Sequence, residues 1–416
     1  MSIPLKFLDR IYVVFVLSLA SSAFISIFVN IDSPKLTSPV TTIAWLFIYI
    51  VTVLRLMARK EQIPAAIKGS RTLFLLLGLC FISFLWSVDA SATLRSSTSL
   101  AMTTLIGLDF KLRYSLEEMV RLTGYTLLGL IVIGLPFDLF LHIIPNNDFD
   151  PSTWHGVFGT KNDLGRLIVL AVALFFCLPI KSKVSKFFFI CVTYAMLYRV
   201  HSTGALVNCT VILGTLLACI PLRWTAKART LTLIILPILV AAVAYFGITH
   251  LAEVTTSVGK DPSLTGRTVL WRMAFRSIRQ RPILGYGYSA FWGRQQQLAW
   301  RIREAAGWLT APHSHSGYIE ILLGLGVVGF VALLALYFHL GRKAYFYAIQ
   351  NRTNLANWPV LYLTFFIFYQ FTEASLVSPN SIFWILFANL SFQFATVPAT
   401  QRTPLEDPVQ QALVSA

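Results

Sequence analysis

The chain has 416 residues, of which 56% are apolar and only 12% charged, about half the charged share of an ordinary soluble domain. With a mean hydropathy of +0.69, 32 Phe and 10 Trp, it has too few polar side chains to clothe a water-soluble globule, so its apolar surface must face lipid. The net charge of +16, from 34 Lys and Arg against 18 Asp and Glu, has first to be placed relative to that membrane; no nucleic-acid partner is expected from it.

A helix crossing the hydrocarbon needs about 20 mostly apolar residues. Twelve runs meet this: 11–31, 40–58, 71–87, 92–108, 122–143, 164–180, 187–202, 204–222, 231–250, 318–340, 358–374 and 379–397. With a cytoplasmic N-terminus, 20 Lys and Arg fall in inside segments and 5 in short outside loops (Lys35, Arg95, Lys161, Arg166 and Arg199). That bias favours this orientation. The other 9 lie in one long segment, 251–317, where the positive-inside rule weakens.

The expected fold is all-α, a polytopic membrane domain over 1–397 with about 12 transmembrane helices and a large periplasmic loop between spans 9 and 10. A disordered cytoplasmic tail is expected over 398–416. The first run continues to Val29 without a polar break, as an uncleaved anchor would, although Ala20-Ser21-Ser22-Ala23 has the small residues of a signal cleavage site. All five cysteines fall within spans without ligand spacing, and read as packing residues. Ionisable residues are nearly absent from the middle of spans, Asp138 and His339 standing near span ends. A transporter pathway would place ionisable residues near the middle of spans.

Function is expected in the two long outside loops, 144–163 and 251–317. In the first, Asp148-Phe149-Asp150 has a weak metal-binding form, and Gly156-Val157-Phe158-Gly159-Thr160-Lys161-Asn162-Asp163-Leu164-Gly165-Arg166 leads into the sixth span. Lys161 and Arg166 could together meet an anionic headgroup or substrate; a plain interfacial anchor is the alternative. It is not a Walker loop, because Gly-Lys-Ser/Thr is absent. Asn208-Cys209-Thr210 matches a glycosylation acceptor, but within a span.

In the second loop, Leu270, Met273, Ala274, Ser277 and Ile278 recur at helical spacing, Arg272, Arg276 and Arg279 fall on another face, and Pro282 ends the helix. The basic face suits lipid headgroups as well as substrate. Arg267 differs: at the helix start after Thr265-Gly266, its guanidinium could join helix N–H groups in holding a phosphate. The loop closes on Pro312-His313-Ser314-His315-Ser316-Gly317-Tyr318-Ile319-Glu320. A histidine at this boundary is suited to taking a proton from a sugar hydroxyl; structural and metal roles compete. Trp292, Trp300, Trp308, Tyr286 and Tyr288 suit either sugar stacking or an interfacial aromatic belt.

These patches resemble the bacterial O-antigen ligase and polysaccharide polymerase family. Leu85-Trp86-Ser87-Val88-Asp89 with Arg95 resembles its Trp-Ser-x-Asp segment and basic residue, and 156–166 its Gly-x-x-x-Lys-Asn loop. The stretch 264–292, with Trp271, Arg281-Pro282 and Leu284-Gly285-Tyr286-Gly287, is the most specific match. His313 to Glu320 resembles its His-Asn-x-Tyr-Leu-Glu patch, with Ser316 in the usual Asn position. Phe371-Thr372-Glu373-Ala374-Ser375 with Asn380 and Trp384 is similar to the exopolysaccharide-polymerase branch.

The resemblance implies a GT-C-like, inverting and metal-independent glycosyltransferase of the bacterial inner membrane, multi-pass with both termini cytoplasmic. It would polymerise polyprenyl-pyrophosphate-linked repeat units on the periplasmic face. The implied site has His315 and Arg267 as catalytic residues, Lys161, Arg166 and Arg95 on the pyrophosphate, and His313, Glu373 and Asn162 in support, with neither metal nor cofactor. Flippase and chain-length or export proteins are the implied partners, beside membrane lipid. A ligase acting on lipid A core shares these expectations. A flippase or polysaccharide exporter is the alternative of another class.

Overall fold

The computed structural model describes residues 3–28, 38–141, 153–178, 183–219, 267–293, 296–309, 311–351 and 353–395. Among them every regular element is helical. The main helices are α1 (Ile3–Ala20), α2 (Pro39–Met57), α3 (Arg71–Ile82), α4 (Ala90–Arg113), α5 (Leu116–Pro136), α6 (Lys161–Cys177) and α7 (Lys183–Val200). They continue with α8 (Thr203–Cys219), α9 (Arg267–Gln280), α10 (Gln297–Ala305), α11 (Gly317–Gln350), α12 (Trp358–Tyr369) and α13 (Ile382–Ala395). Eleven of the twelve apolar runs overlap these helices. The run 231–250, the Asp148-Phe149-Asp150 motif, the Thr265-Gly266 turn and the tail 398–416 lie outside the described residues.

By length and apolarity Pro39–Met57, Leu116–Phe140 and Gly317–Gln350 suffice to cross a membrane, and the pair Lys60–Ile67 and Arg71–Leu85, bent by 98°, makes a fourth span if counted as one. On α2, Trp45, Ile48, Thr52 and Leu56 are buried, while Ile43, Leu46, Phe47, Ile50, Leu54 and Met57 are exposed. The outward face is as apolar as the inward one, as lipid contact requires and water forbids. The first run is not one helix. α1 stops at Ala20, Ser22 and Phe24 take positive φ, and the Phe24 N–H donates to Val157 O at 2.7 Å. A tertiary hydrogen bond replaces the helical one at this break.

α4 runs past its expected end to Arg113 and so carries Asp109, 1% exposed, into the protein. Arg55 Nε donates to Asp109 Oδ2 at 2.8 Å and Arg113 Nε to Asp109 Oδ1 at 2.9 Å. Asp9 pairs with both arginines, and the Tyr12 ring lies 4.5 Å beneath the Arg55 guanidinium. A charge of this burial persists only when paired in this way. Deeper along α4, a Cβ on Gly107 would sit 2.8 Å from Ala388 Cβ and 2.9 Å from Asn389 N. The missing side chain lets α13 approach closely. Trp384 Nε1 donates to Thr104 Oγ1 and Asn380 accepts from Thr103, so both residues fasten α13 to α4.

α11 is broken at Gly326, whose φ of 62° and ψ of −160° interrupt the helix. The freed groups are met by 282–287: Val327 N donates to Pro282 O at 2.9 Å and Val328 N to Ile283 O at 3.2 Å, while Tyr286 N donates to Leu323 O and Gly287 N to Gly324 O. On its other side this segment accepts Trp86 Nε1 at Leu284 O and Val88 N at Tyr286 O. The Trp-Ser-x-Asp and Leu-Gly-Tyr-Gly patches, 200 residues apart in sequence to the nearest ten or so, are therefore one packed unit. α9 buries Leu270, Ala274 and Ser277 and turns Arg272, Arg276 and Arg279 outward, the amphipathic division expected. With α10 and the start of α11 it forms a second small core around Tyr286, Phe291, Ile302 and Leu323.

Candidate active site

Four pieces of chain converge on the Glu373 carboxylate: the starts of α6, α9 and α11, and the loop between α12 and α13. His315 Nδ1 lies 3.2 Å from Glu373 Oε2, Arg267 Nη2 lies 3.5 Å from Oε1, and Asn162 Nδ2 reaches Oε1 at 3.5 Å. Arg267 Nη1 also donates to Thr372 O at 2.9 Å, and Ser202 Oγ donates to Asn162 Oδ1 at 3.0 Å. The Gly317 N–H is shared between Gln370 O at 2.9 Å and Glu373 O at 3.1 Å. A Cβ on Gly317 would stand 2.3 Å from Gln370 Oε1, so the missing side chain lets α11 meet this loop closely.

Burial would raise the Glu373 carboxyl, but the hydrogen bond from His315 and the Arg267 guanidinium beside it outweigh that and hold it at about 2. The ionised carboxylate only accepts, so the proton of this contact belongs on His315 Nδ1. His315 Nε2 is then the ring atom with a lone pair, and it is buried without a hydrogen-bond partner. The Trp308 ring stacks on the imidazole at 4.6 Å and 20°. His313 packs edge-on at 4.3 Å and accepts the His315 N–H at its Nδ1, 3.2 Å away. Burial first, and then the neighbouring His315, push His313 down to about 3, so it is neutral near pH 7.

His315 has φ of 54°, a left-handed conformation that costs a non-glycine residue roughly 1–2 kcal/mol. Its neighbour Ser314 is pinned at both backbone atoms. Ser314 N donates to Glu320 Oε1 at 2.7 Å, and Ser314 O accepts Trp271 Nε1 at 2.8 Å. Trp292 Nε1 donates to the same Glu320 carboxylate at 2.8 and 3.0 Å. Arg303 donates from Nε to Ala311 O and from Nη2 to Trp292 O, closing the base of the loop. Strain of this kind survives where surrounding contacts over-determine it, and it concentrates at functional sites.

Of the residues singled out from sequence, His315, His313, Arg267, Asn162 and Glu373 meet here, and Lys161 opens α6 beside Asn162. Arg166 pairs with Asp163, reaches Tyr369 OH at 3.3 Å and Ser375 Oγ at 3.5 Å, and lies over Phe383. Its guanidinium is thus engaged within the chain. Arg95 is exposed on α4, and its charge acts on Asp89, the N-cap of that helix. No described hydrogen bond or ion pair joins it to Glu373. Among the aromatics, Tyr286 and Tyr288 are buried and bond to Ser277 O and Val377 O; with Trp292 they are framework, not a sugar platform. Trp300 is exposed. Asn208 is buried and bonds to Gly204 O, as expected for an unused acceptor. Tyr369 and Ser202 carry no sequence signal that marks them, and Thr372 and Ser375 enter only as members of the 371–375 patch.

His313, His315 and Glu373 each offer one ligand atom, all within 4.8 Å of one another, and could together hold a metal ion. Arg267 already places a positive charge on the same carboxylate, an arrangement better suited to an anionic guest.

Residues 187–334 match the model of a family described as O-antigen ligase. That stretch contains Arg267, His313, His315 and Glu320, while Glu373 and the α6 residues fall beyond it. Over 96 residues the chain is 33% identical to the exopolysaccharide production protein ExoQ of Rhizobium meliloti (strain 1021); the match covers 23% of this chain and 22% of the relative's length. Over these stretches this membrane protein is similar to O-antigen ligase and ExoQ-type proteins.

Proposed function

We propose that this protein is a glycosyltransferase of the bacterial inner membrane that polymerises polyprenyl-pyrophosphate-linked oligosaccharides into an exported polysaccharide on the periplasmic face. The observation that carries the reading is the His315–Glu373–Arg267 constellation: a buried imidazole with one nitrogen held by a carboxylate and the other free. His315 Nε2 takes the proton of an acceptor hydroxyl as its oxygen attacks the anomeric carbon. The bond from that carbon to pyrophosphate breaks, and the polyprenyl pyrophosphate leaves with the bonding electrons. Attack from the side opposite the leaving group inverts the anomeric centre. Glu373 keeps the imidazole in the working tautomer and balances the imidazolium that forms. Arg267 and Lys161, with Arg166 and Arg95 as further cations and Asn162 in support, hold the developing pyrophosphate charge. No metal or cofactor takes part in this reading. Flippase and chain-length or export proteins are the partners that such a reaction requires.

The test is product size after incubating the purified protein with a lipid-linked repeat unit in EDTA. A ladder of lengthening oligomers is the expected result, lost in His315→Ala. The O-antigen ligase description of the matched family favours one second reading, transfer of a finished glycan to lipid A core. Under that reading a ladder fails to form and product appears only when lipid A core is added. Unchanged substrate under both conditions would overturn both readings and leave a transporter.

A further inference from the structure

We infer that Glu320 is a positioning residue for this reaction, acting on His315 through the backbone of Ser314. The inference rests on the function proposed above. Glu320 stands in the first turn of α11, and its side chain turns back toward the loop that precedes the helix. Its Oε1 accepts both Ser314 N at 2.7 Å and Trp292 Nε1 at 2.8 Å, and Oε2 accepts Trp292 Nε1 at 3.0 Å. No described hydrogen bond or ion pair joins the carboxylate itself to Glu373, Arg267 or the His315 ring; its charge reaches His315 only through space.

The peptide it grips lies between the two histidines. Ser314 O is held from the other side by Trp271, one helical turn along α9 from Arg267, so one helix sets both the arginine and the histidine loop. The strained residue is the next one, His315, at φ of 54°. An ordinary loop would relax this conformation, and a φ change of that size would swing the imidazole away from Glu373 and from the Trp308 face. Glu320 fixes the peptide between His313 and Ser314 and Trp271 the one between Ser314 and His315, so both planes that lead into the strained residue are held. The side chain acts by where it places two acceptor lone pairs, because both of its partners are neutral N–H groups.

That geometry predicts an unusual order among substitutions. Glu320→Gln keeps an acceptor oxygen at the Oε1 position and should retain turnover within about three-fold. Glu320→Asp keeps the charge but withdraws it by one methylene, and should lose turnover about 100-fold, the size of effect an ångström-scale misplacement produces, with KM for the lipid-linked repeat unit unchanged. Glu320→Leu should match Asp. The same variants in a His315→Ala background should show no further loss, because a residue that works through His315 has nothing left to position.

Polymer formation from the lipid-linked repeat unit would be measured for all of these, with melting temperatures in detergent to establish that each is folded. If Asp retains activity and Gln loses it, the charge matters and positioning is wrong. Equal losses in the native and His315→Ala backgrounds would also overturn it. Should Leu fail to fold, the Gln and Asp pair still decides. Full activity in His315→Ala alone would sink the proposed base itself; an inactive His315→Ala beside a fully active Glu320→Asp would sink only this inference.

Discussion

Two clusters of ionisable side chains are buried in this protein, and they are built differently. The Asp9–Arg55–Asp109–Arg113 cluster hangs on α1, α2 and α4, inside regular helices. The His315–Glu373–Arg267 cluster is assembled from helix starts and loops, around a residue with strained backbone. Each also leaves one buried atom unmatched. In the first it is Arg55 Nη2, a donor on a group that stays charged at any working pH. In the second it is His315 Nε2, an imidazole nitrogen that can carry either a lone pair or a proton. An unmet donor of a fixed charge can only stabilise or destabilise the fold; an unmet base can do chemistry.

The largest expected effect separates the two directly. His315→Ala should lower polymer formation by about 10²–10⁴-fold, the worth of a positioned base, with little change in melting temperature. Asp109→Ala leaves two guanidiniums to share Asp9 alone and should destabilise by about 3–5 kcal/mol, while the folded fraction keeps its turnover. Turnover per folded molecule, measured beside thermal melts for both variants, checks this. A strong activity loss in folded Asp109→Ala would mean that the helical cluster also serves the reaction.

Glu373→Gln comes next. The amide can present its own N–H to His315 Nδ1, which moves the imidazole proton to Nε2 and removes the base. A loss of roughly 10- to 100-fold is expected, as for removal of a second partner behind a working histidine, and it should appear in kcat. Gly317→Ala is smaller and mixed. Its Cβ would stand 2.3 Å from Gln370 Oε1 and 2.9 Å from Leu376 Cβ, an overpacking worth about 1–3 kcal/mol. Since the Gly317 N–H ties α11 to the Glu373 loop, turnover should fall together with melting temperature, whereas His315→Ala separates them.

Apolar runs and amphipathic spacing made most helices legible in the sequence, and α9 came out with its arginines on the face expected. These are local signals, set by residues three or four apart. What stayed hidden depends on distant partners. The break after Ala20 rests on a hydrogen bond to Val157, and the kink at Gly326 is held by Pro282 and Ile283. Within 318–340 the apolar run reads as uninterrupted, because Gly326 is unremarkable until the chain that satisfies its neighbours is known. His315 and Arg267 were legible as residue types at an outside boundary, and Glu373 only as a supporting acid. That all three share one carboxylate could not be read, since 58 and 106 residues separate Glu373 from its partners. Asp109 was missed as a buried charge because Arg55 and Asp9, which complete its cluster, stand on other helices.

The smallest expected effect is a pH dependence that arises in the active-site cluster. His313 is held at about 3, below the ordinary 6.5, so between those values the unfolded chain binds a proton that the folded protein refuses. Stability therefore falls as pH drops from 6.5 toward 3. Glu373 is held at about 2, below the ordinary 4.5; its contribution is present above pH 4.5 and fades as pH falls through about 2. The two windows have the same sign but open at different pH. In His313→Gln, where the amide oxygen can still accept the His315 N–H, the decline between pH 6.5 and 4.5 should flatten while that below 4.5 persists. Melting temperatures from pH 7.5 to 3.5 in detergent read both windows, and an identical profile in the variant would remove His313 as the source of the upper one.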